Sequence, residues 1–135
     1  MNSIFSKNNV SNHEYQMHKY IYELNLINVP KIIDYDANSQ ILKMDKINNY
    51  NISDMYGEGS ENVPESIFSE IRSIINILYQ NGITYPDITG YNFIENENKI
   101  WIIDFEHSYF TNKDNCDNFV SKFINGLNEW NPYFN

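Results

Sequence analysis

Residues 81–107 read NGITYPDITGYNFIENENKIWIIDFEH, and this stretch carries the clearest indication of fold in the chain. It begins with an Asn-Gly pair that ends a helix, continues as a polar loop, and finishes as two short apolar strands. The loop contains Asp87 and Asn92, and the second strand ends at Asp104. Two carboxylates and an amide, placed on a loop and at a strand end, are the oxygen ligands that a hard divalent cation prefers. The stretch therefore predicts a site for a divalent cation.

The composition predicts one acidic domain. The chain has 135 residues, of which 41 % are apolar, enough for a single hydrophobic core. The net charge is −9 and the nine Lys and Arg residues stand singly, which argues against nucleic acid and anionic membranes as partners. Cys116 is the only cysteine, the N-terminal sequence MNSIFSKNNVSN is too polar for a signal peptide, and no apolar run could span a membrane. We expect a soluble, cytoplasmic protein.

The N-terminal third predicts a small sheet and one helix. Residues 4–5 suggest a short edge strand, and residues 31–36 and 40–45 a β-hairpin. Between them, Ser11 and Glu14 match a capping box, in which each side chain accepts a hydrogen bond from the other residue's backbone amide. An apolar stripe at helical spacing follows and consists of Met17, Tyr20, Ile21 and Leu24.

The remainder predicts mostly helix. The strongest helical pattern begins around Pro64, with Asn62 as a candidate cap, and stops at Asn81-Gly82. A single helical turn at residues 52–56 precedes it. A last helix carries an apolar side made of Phe119, Val120, Phe123, Ile124 and Leu127. The predicted fold class is α+β.

Residues 81–107 resemble the catalytic core of the protein-kinase-like superfamily, in which a loop H-R-D-x-x-x-x-N is followed by D-F-G. The phrase YPDIT-x-YNFI…WIIDF also resembles small kinase-like proteins of fungi and large DNA viruses. The resemblance implies that Asp87 is the catalytic base and that Asn92 and Asp104 hold Mg²⁺ against the phosphates of ATP. It further implies transfer of the γ-phosphoryl group to a hydroxyl of an unknown protein or small-molecule acceptor.

The upstream residues fit the order of nucleotide-binding groups in that superfamily. Lys7 would hold phosphates, Glu14 would be its helix partner, and Asp45 and Ile47 would meet the adenine from a hinge. The single domain, residues 1–135, would divide into an N-lobe-like part at 1–45, a hinge-like part at 46–51 and a C-lobe-like part at 52–135. Two alternatives stay open. Glu14 could serve only in the capping box, and Lys7 could be a solvated surface lysine.

Several departures from the superfamily pattern keep a second function open. The printed chain starts at the lysine strand, so the expected fold is a minimal one without the glycine-rich hairpin. Tyr85 and Pro86 replace the usual His and Arg, and Glu106 replaces the usual Gly, although choline-kinase-like phosphotransferases tolerate Asp-Phe-Glu. The alternative is a catalytically inactive pseudokinase that binds a nucleotide or a protein. An oligomer, or a partner chain that supplies the missing lid, is compatible with both hypotheses.

Two further interpretations concern residues near the predicted site. His107 could reach the site from beside Asp104, but a histidine at the surface or in the core is the prediction. Tyr85, Tyr91 and Trp101 are predicted to pack rather than to bind substrate. A third hypothesis for the whole chain is a globular interaction domain whose acidic residues merely cap turns.

Overall fold

The computed structural model describes residues 3–112 and 117–134. Its helices and strands are β1 (Ile4–Lys7), α1 (Asn12–Leu24), β2 (Ile32–Asp36), β3 (Ile41–Asp45), α2 (Ile52–Tyr56), α3 (Glu65–Gln80), β4 (Ile83–Thr84), β5 (Phe93–Asn96), β6 (Lys99–Ile102), β7 (Tyr109–Phe110) and α4 (Asn118–Ile124). Short 3₁₀ turns occur at Ser60–Asn62 and Gly90–Asn92.

The N-terminal strands form an antiparallel sheet in the order β1-β3-β2. Phe5 of β1 lies opposite Met44 of β3, and Tyr35 of β2 lies opposite Leu42. The predicted edge strand and hairpin are therefore confirmed. A small apolar cluster of Val10, Leu42 and Met44 lies under this sheet, with the rings of Tyr15 and Tyr35 stacked beside it.

Helix α1 confirms half of the predicted capping box. The Ser11 hydroxyl accepts a hydrogen bond from the Glu14 backbone amide at 3.1 Å. The prediction of the reciprocal bond, from the Ser11 amide to Glu14, is wrong. The Glu14 carboxylate accepts a hydrogen bond from Lys7 Nζ at 2.6 Å instead. A charged ammonium donor binds a carboxylate more strongly than a neutral amide does, which accounts for the choice.

Helix α3 lies at the centre of the main hydrophobic core. The predicted apolar stripe of this helix is buried except at its last member, Tyr79, which is exposed; its buried members are Ile67, Phe68, Ile71, Ile74, Ile75 and Leu78. The core also takes in Met17 and Ile21 of α1 and Phe105. Gly82 follows the helix with φ +82°, as the Asn-Gly stop predicts. The cap prediction for Asn62 is wrong, because the residue lies in the 3₁₀ turn and Pro64 occupies the cap position without a side-chain hydrogen bond.

The last helix is shorter than predicted. Asp117 caps α4 by accepting a hydrogen bond from the Val120 amide at 2.9 Å, and the helix ends at Ile124. Leu127 lies beyond that end, which corrects the predicted apolar side. The reason is Gly126, whose φ of +117° takes the chain out of helical geometry.

The described residues therefore make an α+β fold, as predicted, with small antiparallel sheets and separate helices. A cleft separates the N-terminal sheet from the part built on α3. None of the helices in the described ranges is long and apolar enough to cross a membrane. Cys116 lies outside the described residues.

Candidate functional site

A cavity of about 350 Å³ lies in the cleft between the N-terminal sheet and the α3 part. The predicted nucleotide-binding residues Lys7, Glu14, Asp45 and Ile47 all line it, and so does Asp104. Phe5, Met44, Ile94 and Ile103 add apolar walls. The arrangement combines a mostly apolar cavity with charged groups, which is typical of sites for small organic ligands.

Lys7, Glu14 and Asp104 meet at one side of this cavity. Lys7 Nζ lies 2.6 Å from a Glu14 carboxylate oxygen and 3.4 Å from Asp104 Oδ1. Glu14 is almost fully buried, whereas Lys7 and Asp104 each keep about 30 % of their side-chain surface exposed. The ion pair that the sequence left open is therefore present, and it brings the lysine of β1 next to the acid that follows β6.

Burial and charge act against each other in this group. Burial alone would lower the pKa of Lys7, but the hydrogen bond to Glu14 and the charge of Asp104 outweigh it and raise that pKa. Burial raises the pKa of Glu14, and the Lys7 ammonium offsets this only in part. The lysine is therefore held firmly in its charged form, which is the form that attracts phosphate.

Asp104 adopts a backbone conformation that is unusual for a residue other than glycine. Its φ is +66°, in the left-handed region, and its Oδ1 accepts a weak hydrogen bond from the Glu106 amide at 3.4 Å. This residue follows β6 with one residue, Ile103, between them, and its carboxylate lies beside Lys7. Left-handed residues of this kind persist where the surroundings demand them, often at functional sites.

The loop with Asp87 and Asn92 is internally tied. Asn92 lies in the Gly90–Asn92 turn, and its side-chain amide donates a hydrogen bond to the Asp87 carbonyl at 2.9 Å. That bond uses the amide nitrogen, so the Asn92 side-chain oxygen has no hydrogen-bond donor among residues 3–112 and 117–134 and can accept a cation. Tyr85 is fully buried, as predicted, and its hydroxyl donates to the Ile103 carbonyl at 2.5 Å, which joins this loop to the residue before Asp104.

His107 contacts Asp87 directly. Its Nδ1 lies 3.0 Å from Asp87 Oδ1 and 2.8 Å from Oδ2. The hydrogen bond to Asp87 raises the pKa of His107. Burial raises the pKa of Asp87, although the hydrogen bond from His107 works in the opposite direction. His107 is therefore an exposed surface histidine, as predicted, and it also contacts the predicted catalytic residue Asp87.

A family model for the RIO domain matches residues 5–130, almost the whole chain. The chain belongs to the RIO domain family. It is thereby a member of the protein-kinase-like superfamily, which confirms the resemblance first seen in residues 81–107.

Individual relatives and solved structures agree with this assignment. The chain is 30 % identical over 105 residues to a protein of Enterocytozoon bieneusi (strain H348) named EKC/KEOPS complex subunit BUD32. The alignment covers 70 % of this chain. It spans about half, 51 %, of that relative.

Two solved kinases share the fold at 17 % identity. The Cydia pomonella granulovirus kinase PK-1 superposes with a TM-score of 0.62 over 81 % of this chain and 44 % of the viral one. The Rio2 kinase of Chaetomium thermophilum, solved as an ADP/Mg²⁺-phosphoaspartate complex, gives a TM-score of 0.64 over 83 % of this chain and 34 % of the other. At this identity the likeness shows the fold alone.

The C-terminal segment of the RIO domain supports the Asp87 loop in a way that the sequence did not reveal. Asn131 is buried, its backbone amide donates to the Ile88 carbonyl, and its side-chain amide donates to the Pro86 carbonyl, each at 2.8 Å. Asn131 therefore binds the carbonyls on both sides of Asp87. Its position in an apolar Trp-Asn-Pro segment was the one available signal, since a polar residue there has to find partners.

Proposed function

We propose that this RIO domain binds ATP with Mg²⁺ in the cleft and transfers the γ-phosphoryl group to a hydroxyl of a protein or small-molecule acceptor. The observation that carries the proposal is the meeting of Lys7, Glu14 and Asp104 in a mostly apolar cleft of about 350 Å³. The apolar walls suit a purine, and the lysine at the charged side suits its phosphates.

The residues at the site fit a magnesium ion by their donor chemistry. Asp104 offers a partly exposed carboxylate, and Asn92 offers the side-chain oxygen that its own hydrogen bond leaves free. Oxygen donors of these types are what Mg²⁺ takes from proteins. When bound, the ion would neutralise the negative charge that develops on the phosphates.

The other predicted residues would bind the nucleotide or act on the acceptor. Lys7 would place its charge on the phosphates while Glu14 orients it. Asp45, the last residue of β3, and Ile47 would meet the adenine. Asp87 would act on the acceptor hydroxyl, with its loop held in place by Asn92. Phosphoryl transfer depends mainly on positioning and charge neutralisation, which is the kind of help these groups can provide.

The proposal is tested by thermal unfolding with ATP, with and without Mg²⁺, on the wild type and on Asp104→Asn. A ligand that binds only the folded state stabilises it by about 2.7 kcal/mol at a hundredfold excess over Kd. We expect a Mg²⁺-dependent rise in Tm in the wild type and its loss in Asp104→Asn. Asp34→Asn is the matched control, because Asp34 is exposed on β2 and lies outside the cleft lining. An equal rise in all three proteins would contradict the metal role of Asp104.

A pseudokinase that binds a partner protein is the second candidate, and one observation favours it. His107 covers Asp87, whose side chain is only 6 % exposed, so the acid is not free in this structure. The name of the BUD32 relative also describes a subunit of a complex. This candidate predicts a stable partner complex without phosphoryl transfer. ATP turnover that is lost in Asp87→Asn would contradict it.

A further inference from the structure

We propose that the group that takes the proton from the acceptor is the imidazole of His107, at Nε2, and that Asp87 orients this ring. The proposal rests on the phosphoryl transfer proposed above and deepens it, because Asp87 then acts on the acceptor hydroxyl through His107 and not directly. His107 lies three positions after Asp104. The kinase motifs that this sequence resembles have no catalytic histidine at that position.

Relative exposure is the first argument. The Asp87 side chain is 6 % exposed, whereas the His107 side chain is 49 % exposed. Both carboxylate oxygens of Asp87 lie within 3.0 Å of His107 Nδ1, so the ring occupies the hydrogen-bonding direction of the acid. A hydroxyl that approaches from solvent therefore meets the imidazole before it meets the carboxylate.

The chemistry of the pair fixes the tautomer. An ionised carboxylate only accepts hydrogen bonds, so the proton of neutral His107 lies on Nδ1. Nε2 then carries the free electron pair, and it has no hydrogen-bond partner among residues 3–112 and 117–134. A carboxylate that holds Nδ1–H and leaves Nε2 as the base is the same division of roles as in hydrolase triads.

The surroundings hold the ring in this orientation. The ring of Phe134 packs against His107 with centroids 5.0 Å apart, and Asn131 fixes the loop that carries Asp87. The charged groups that act on His107 are Asp87 in the loop and Glu106 and Asp104 on its own segment, all acidic. These negative charges favour the imidazolium that forms when the ring accepts a proton.

The step balances without any further reagent. The acceptor oxygen forms a bond to the γ-phosphorus, and the bond from that phosphorus to the bridging oxygen breaks, with its electron pair leaving on ADP. The hydroxyl proton passes to Nε2 of His107, and the Asp87 carboxylate stabilises the resulting imidazolium. The proton later returns to solvent from the exposed side of the ring.

Two substitutions separate a proton acceptor from a residue that only holds or covers Asp87. In His107→Asn the side-chain amide takes the place of Nδ1–H and still donates to Asp87, but no basic nitrogen remains. In His107→Ala the carboxylate is uncovered. The probe is ATP with Mg²⁺ and water as the acceptor, followed by ADP release, and His13→Asn is the matched control. His13 bonds to the Ser108 carbonyl at 2.7 Å and so contacts the same segment without touching Asp87.

We expect both His107 variants to lose about 100-fold or more in kcat, the usual range for general-base catalysis, while ATP still raises Tm as in the wild type. His13→Asn should stay near the wild-type rate. In the wild type, kcat/KM should fall as the pH drops through the His107 pKa, and this limb should disappear in His107→Asn. A wild-type rate in His107→Asn would show that His107 only positions Asp87. A faster rate in His107→Ala would show that His107 blocks access to Asp87. Either result overturns the proposal.

Two further outcomes keep this proposal distinct from the function on which it rests. If the wild type binds ATP with Mg²⁺ but releases no ADP, the proposed transfer and the role of His107 both fail. If turnover is present but unaffected by the His107 variants, only the role of His107 fails. Should the variants not fold, ¹⁵N shifts of the wild-type imidazole give the answer, because a neutral ring protonated at Nε2 would overturn the proposal.

Discussion

Asp87 is held by groups from three separate parts of the chain. Its carbonyl accepts a hydrogen bond from Asn92, its carboxylate binds His107, and Asn131 binds the two peptide carbonyls that flank it. The position of the Asp87 carboxylate therefore depends on Asn131, a buried residue 44 positions later in the chain.

Replacing Asn131 by Ala should destabilise the protein and loosen the Asp87 loop. The Pro86 carbonyl would keep the hydrogen bond from the Ile88 backbone amide at 2.7 Å but lose the one from the Asn131 side chain, a loss of about 0.5–1.5 kcal/mol. Urea unfolding measures the loss, and a parallel fall in ATP turnover would link it to the loop. Asn125→Ala is the control, because its side-chain amide donates to the Ser121 carbonyl at an exposed position and its loss should cost below about 0.5 kcal/mol. Equal losses would show that Asn131 has no special role.

At the scale of elements, the Gly90–Asn92 turn is pressed against the short helix α2. A Cβ added at Gly90 would lie 2.2 Å from Ser53 Oγ and 3.0 Å from the Ser53 backbone nitrogen. Both distances are below normal contact, and the second involves backbone that cannot turn away. Glycine at this position therefore lets α2 approach the turn that carries Asn92.

Gly90→Ala should push this turn away from α2. Overpacking of this kind costs about 1–3 kcal/mol, and it should also weaken Mg²⁺-dependent ATP binding, because Asn92 follows two residues later. The double variant with Ser53→Ala removes the nearer contact and should recover part of the loss, since the Ser53 backbone remains. Unfolding curves of the two single variants and the double variant form a cycle that measures the coupling. Purely additive losses would mean that the contact does not govern this turn.

At the scale of the whole molecule, α1 joins the N-terminal sheet to the main core. His18, at its buried centre, bonds to the Pro30 carbonyl at 2.8 Å and packs edge-on against Phe105, the residue after Asp104. Burial lowers the pKa of His18, and the hydrogen bond to Pro30 offsets this only in part. The folded protein therefore keeps this histidine neutral at a pH where the unfolded chain already binds a proton.

This difference makes global stability sensitive to acid. The contribution of neutral His18 is complete above the unfolded pKa of about 6.5 and is lost as the pH falls from there to the lower pKa of the folded state. We expect the unfolding free energy to decline across this window in the wild type and to decline less in His18→Gln. His13→Gln should keep the wild-type decline. Urea unfolding at several pH values measures this, and an unchanged slope in His18→Gln would contradict it.

The sequence by itself determined what depends on neighbouring residues. The β1 strand, the β2–β3 hairpin, the stripe of α3 and its Asn-Gly end, and the α+β class all follow from local pattern, because backbone geometry and amphipathic spacing act over a few residues. The spacing of Asp87, Asn92 and Asp104 was enough to indicate the kinase-like superfamily, which the RIO domain match confirms. Their catalytic and metal-binding roles stay predictions.

Only the tertiary structure decided how side chains choose among competing partners. Glu14 could have completed its capping box, but folding brings Lys7 to 2.6 Å from its carboxylate. His107 bonds to Asp87 from 20 positions away along the chain, and Asn131 bonds to Ile88 and Pro86 from 43 and 45 positions away, separations at which no local pattern predicts a contact. The physical reason is that a hydrogen bond or ion pair is selected by distance and burial in the folded chain, and both are set by the packing of the whole molecule.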